Sequence, residues 1–86
     1  MKEVFVLHPE FGHVETGMDG RHKTWSIVLT DEGIDACESK YQASMFELIR
    51  RRTMVDVEFD LHGKRVRGRA HVEQGYLQGA SQPEEI

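Results

Sequence analysis

Two runs in the second half of the chain carry its clearest periodicity. Val55, Val57, Phe59 and Leu61 alternate with Asp56, Glu58, Asp60 and His62, and Val66, Gly68, Ala70 and Val72 alternate with Arg65, Arg67, Arg69 and His71. A period of two puts each apolar set on one face of a strand. If His62-Gly63 forms a two-residue turn, Leu61 faces Lys64, and the rest of the register follows. Asp60 then lies opposite Arg65, Glu58 opposite Arg67 and Asp56 opposite Arg69, with Phe59 against Val66 and Val57 against Gly68 on the other face. The pattern predicts a hairpin over Thr53 to Glu73.

Upstream, Lys2 to His8 is apolar on both faces and reads as a central, covered strand that ends at His8-Pro9. A short strand over His13 to Thr16 is expected next, then a glycine turn over Gly17 to Gly20. Lys23 to Leu29, β-branched and aromatic, reads as a further strand. A helix should begin at Thr30-Asp31, where either side chain can cap free amides. Ile34, Cys37, Tyr41, Met45 and Leu48 continue it as one apolar stripe, and Arg50, Arg51 and Arg52 suit its negative end. The order β-β-(β)-α-β-β, with no second helix to serve as a crossover, predicts an α+β domain over residues 1–78. Its sheet is mostly antiparallel, with one helix packed across it. From Gly79 the residues are small and polar, and 79–86 read as a flexible C-terminal tail.

Composition narrows the classes. The chain has 86 residues, 38% hydrophobic and 30% charged, with a net charge of -4, which suits one thin core. Cys37 is the sole cysteine, so no intrachain disulfide or C-x-x-C site can form. The opening apolar run is too short for a signal-peptide core, and no stretch is long enough to span a membrane. Cytoplasmic residence is the expectation, with no membrane partner.

The candidate chemistry is sparse. Arg50, Arg51 and Arg52 with Arg65, Arg67 and Arg69 form a candidate nucleic-acid-binding set, since a strand of arginines can track phosphates. A carboxylate opposite each strand arginine and the acidic whole argue against it. His8, His13 and His22 lie near Glu10, Glu15 and Asp19, but their spacing matches no metal-ligand pattern, and neither a metal nor a cofactor is expected. Cys37 falls in the helix stripe as a small hydrophobe, and no serine or glycine motif suggests catalysis. Phe46 and Ile49 fall 40 to 100° outside the stripe, beside Gln42 and Arg50, by a wheel of about 100° per residue. These four are the candidate protein-contact residues. The competing expectation is that Phe11, Met18 or Tyr76-Leu77 folds over them. The resulting expectation is a small non-enzymatic binding or regulatory module. Its partner is another protein chain or, by self-association, a second copy in a homodimer.

Overall fold

The structure, a computed structural model, describes residues 3–86. It is an α+β fold in the order β1 (Val4–Val6), β2 (Gly12–Asp19), β3 (His22–Leu29), α1 (Asp31–Tyr41), α2 (Met45–Arg50), β4 (Met54–Leu61), β5 (Lys64–Glu73), β6 (Tyr76–Gly79) and β7 (Glu84–Glu85). The strands form one sheet in the order β1-β4-β5-β6-β3-β2, with β7 added to β5. Every pairing is antiparallel except β1 with β4.

The β4–β5 hairpin has the register the alternation predicts, from Leu61 opposite Lys64 through Asp56 opposite Arg69. His62 and Gly63 both take positive φ, 52° and 80°. That is the mirror-image turn whose twist matches paired strands, and glycine at its second position removes the steric cost.

The sheet is curled. Laid flat, six strands would hold β1 and β2 about 24 Å apart at ~4.8 Å per step. The segment joining them is only Leu7–Phe11, and it is shortened by a turn in which Phe11 N–H donates to the His8 carbonyl at 2.9 Å. Trp25 on β3 likewise lies 4.7 Å, ring to ring, from Phe59 on β4, three positions away in the sheet. The inner face collects Trp25, Ile27, Val55, Val57, Phe59, Val66, Ala70 and Leu77, and the helices add Cys37, Met45 and Leu48 to the same core.

Several expectations change. The first strand is an edge strand that pairs, among the described residues, with β4 alone, with Phe5 buried and Val4 and Val6 half-buried, rather than a central one. Lys2, at the start of the expected range, lies outside the described residues. The second strand runs on through the expected turn to Asp19, and the turn moves to Gly20-Arg21.

The single expected helix is two. Gln42 takes a left-handed conformation (φ 52°) and its N–H donates to the Glu38 carbonyl, ending α1. Ser44 then starts α2 by accepting from Glu47 N–H at 3.1 Å, while the Glu38 carboxylate accepts from Met45 N–H at 2.7 Å. The stripe survives the break because Met45 and Leu48 still face the core.

Residues 79–86, expected as a loose tail, lie along the sheet. β4 occupies one side of β5 at Val66 and Arg67, so β7, paired to the same residues, continues the side that β6 leaves. The tail also supplies the one hydrogen-bond partner that Trp25 lacks within the strands: its indole N–H donates to the Ser81 carbonyl at 2.7 Å.

Candidate functional site

Phe46 stands out from α2 with 71% of its surface exposed. The helix break explains why it and Ile49 part company. Counted within α2 alone, Met45, Leu48 and Ile49 fall at i, i+3 and i+4 and form the core-facing stripe, leaving Phe46, Glu47 and Arg50 outward. Ile49 is accordingly half-buried and packs against the core, whereas Gln42 and Arg50 are exposed. The segments expected to fold over the pair are engaged elsewhere. Phe11 stacks on Phe5 at 5.9 Å, Leu77 is fully buried, and Met18 is itself 63% exposed. A carboxylate-centred cluster borders Phe46, with Glu47 receiving Arg50 at 3.0 Å and Arg51 at 3.3 Å.

The arginine face of the hairpin is compensated as the register requires. Arg65 reaches Asp60 at 3.2 Å and Glu58 at 3.1 Å, Arg67 reaches Glu58 at 3.5 Å, and Arg69 reaches Asp56 at 3.5 Å. Hydrogen bonds that Arg65 donates to Asp60 and then to Glu58 hold its pKa above the usual value. The tail adds acid that the sequence pattern did not place there. Glu84 lies opposite Arg67, and Glu85 reaches Lys64 at 3.8 Å. Four carboxylates (Asp56, Glu58, Asp60, Glu84) thus meet three arginines (Arg65, Arg67, Arg69) on this surface, while Lys64 and Glu85 meet on the other face, beside Leu61 and Val66. Arg50 and Arg51 share Glu47 and do not join the strand arginines in an ion-paired network, and Arg52 makes no ion pair among the described residues.

Two open grooves flank the tail. One, of about 480 Å³, runs between Arg67, Arg69 and Asp56 and the tail residues Gln82, Glu84 and Glu85. The other, of about 460 Å³, lies between Thr16 and Met18, the rim of Trp25, Leu61 and Pro83. The sequence reading missed the second; the alternation of Val14, Thr16 and Met18 was its available signal. Of the histidines, His13 meets Glu15 at 3.1 Å on the exposed side of β2. Among the described residues, no three His, Cys, Asp or Glu side chains converge as a metal site would require.

Cys37 is fully buried, and that burial, with the nearby Glu38 charge second, pushes its thiol from the usual 9.0 up to about 11. At neutral pH it is a protonated thiol, a poor nucleophile. Tyr41, whose hydroxyl is buried without a partner among the described residues, is pushed up to about 12, first by burial and then by Cys37, Asp56 and Glu3. Both groups keep their protons in the folded chain at a pH where the unfolded chain releases them. Stability should therefore be level up to about pH 9 and fall as pH rises through the thiol's window, by roughly 2–3 kcal/mol for Cys37. Urea melts at pH 8 and pH 10.5 measure it, and Cys37→Ala should remove the part of the fall that begins near pH 9.

No family pattern, no curated protein and no solved structure matches this chain.

Proposed function

We propose that this chain is a small non-enzymatic binding or regulatory module that acts through contact with another protein chain. Phe46, the rim of Ile49 and Arg50 on α2, with Gln42 from the end of α1, are the contact surface. The observation that carries the reading is the isolation of Phe46, a large aromatic left 71% exposed while Trp25, Phe5 and Phe59 are buried. Burying such a ring releases roughly 1.5–3 kcal/mol, and aromatic anchors bordered by charge are the usual centres of protein contacts.

The test uses a photo-crosslinking amino acid, benzoylphenylalanine, in place of Phe46 in cells expressing the full chain. The reading expects a discrete adduct with a second polypeptide, absent when the crosslinker replaces the exposed His71 on β5. It also expects Phe46→Ser to change stability by less than about 1 kcal/mol, because an exposed ring contributes little to the fold. An adduct-free position 46 would sink the reading.

The runner-up is nucleic-acid binding through Arg50, Arg51, Arg52, Arg65, Arg67 and Arg69. The four-to-three excess of carboxylates on the arginine face weighs against it, since phosphate binding needs uncompensated positive charge. Sub-micromolar binding of DNA or RNA at about 150 mM salt, weakened roughly tenfold by Arg67→Glu, would put it first.

A further inference from the structure

We infer that the free edge of β2 is a self-recognition surface, on which a second copy of this chain pairs antiparallel across a two-fold axis at Thr16. The inference deepens the reading of the chain as a protein-contact module by naming one partner, and it rests on a surface separate from Phe46.

Among the described residues β2 pairs with β3 alone, on one side, and its residues Glu15 to Asp19 are all exposed. The direction of its backbone groups follows from its neighbours. Asp19 and His22 flank a two-residue turn, which makes them a hydrogen-bonded pair, and the pairs alternate from there. Leu29 N–H donates away from β2, to the Gly75 carbonyl at 3.0 Å, and Thr30 N–H donates towards it, to the Phe11 carbonyl at 2.9 Å. Both contacts fit that alternation. Residues 13, 15, 17 and 19 therefore spend their amides on β3, and Val14, Thr16 and Met18 present theirs to the open edge. An unpaired edge of this length is a template for another strand.

Which strand fits is decided by register. In an antiparallel pair, outward-facing residues must lie opposite outward-facing residues, so a two-fold axis between copies has to pass through a residue and not between two. An axis at Glu15 sets that carboxylate against its own copy. An axis at Gly17 sets Glu15 against Asp19 twice. Axes at Val14 or Met18 pair no more than about five residues of each strand.

The axis at Thr16 alone pairs seven residues of each strand, 13 to 19, without opposing like charges. It places His13 opposite Asp19 twice and the two Thr16 residues opposite each other. It also sets Val14 opposite Met18, both on the inner face that they share with Ile27 and Trp25. Met18, 63% exposed in one copy, gains an apolar neighbour from the other. In this one register the strand opposes no like charges and sets its free backbone groups against those of its copy.

Cysteine scanning reads that register directly. Thr16→Cys, Glu15→Cys and Gly17→Cys, each in the full chain, are oxidised mildly with glutathione disulfide, with the wild type as control for buried Cys37. Directly opposed residues at an axis have Cα atoms about 5.5 Å apart, within disulfide reach. Thr16→Cys should form a covalent dimer at least about tenfold faster than the other two. Equal rates at all three positions, or no dimer at Thr16→Cys, would overturn the inference.

Sedimentation of the wild type should show a reversible dimer with a dissociation constant on the order of micromolar, as suits a small edge-to-edge contact. Thr16→Pro, which removes an amide that β3 does not use, should raise that constant about tenfold or more. A wild type monomeric to millimolar concentration would refute the pairing. The Phe46 crosslink is scored independently, so either surface can fail while the other stands.

Discussion

Replacing Gly68 or Gly79 with alanine is expected to destabilise the domain by about 2–3 kcal/mol, although alanine suits a strand better than glycine does. The cause is Trp25. Its indole crosses the inner face of the curled sheet, over β6 and onto β5, and it fits only because both strands lack a side chain beneath it. A Cβ on Gly79 would stand 2.4 Å from the ring and one on Gly68 2.6 Å. The ring cannot swing aside cheaply: its N–H is held by the Ser81 carbonyl at 2.7 Å and its face by Phe59 at 4.7 Å. Denaturant melts of Gly68→Ala and Gly79→Ala measure the cost, and the chain's single tryptophan reports displacement by its own fluorescence. Trp25→Leu is itself destabilising, but it removes the obstacle. Gly68→Ala made in that background should cost at least 1 kcal/mol less, a coupling that a double-mutant cycle reads. Additive effects would mean that the ring does not rest on these glycines.

That packing shows where the sequence was legible. Gly68 occupies an apolar slot of the β5 alternation, so its inward direction followed from period two, but a missing side chain does not announce what fills its place. The β4–β5 register was legible because alternation, opposed charge and a turn dipeptide all agree over twenty residues of contiguous chain. The β1–β4 pairing was not, because it joins segments some fifty residues apart and leaves no local mark in either. The break between α1 and α2 did leave one. Ser44-Met45-Phe46-Glu47 has the Ser-x-x-Glu spacing of a helix start, and Ser44 does accept from Glu47 N–H. The stripe through Tyr41 and Met45 masked it, because their spacing of four is the one that an unbroken helix would also give. The same break separates Phe46, outward as expected, from Ile49, which turns half inward. β6 and β7, four and two residues long, are too short for a period to show; β6 is set by its pairing with β5 and β3, and β7 by its pairing with β5.

The second large effect is expected at Gly33→Ala, where helix propensity and packing oppose each other. In an exposed helix interior the change would stabilise by up to about 1 kcal/mol. Here the new Cβ would stand 1.9 Å from the Phe11 carbonyl oxygen. That obstacle is backbone, with no rotamer to relieve it, so the net result should be a loss of about 2–3 kcal/mol and a fall in Tm of roughly 10–20 °C. Thr30 shows why the loop cannot retreat. Its N–H donates to the Phe11 carbonyl at 2.9 Å and its hydroxyl to the Glu10 carbonyl at 2.6 Å, while Thr30 Oγ1 accepts from Gly33 N–H at 3.0 Å. One residue thus caps α1 and ties it to the segment that joins the two edges of the sheet. Thr30→Val should cost about 1–2 kcal/mol alone and less than that in Gly33→Ala, because both changes release the same junction. A Gly33→Ala chain with unchanged or raised Tm would mean that the segment is free of α1. If it is held, the variant should also weaken pairing at Thr16, since the junction that anchors Phe11 sets where β2 begins.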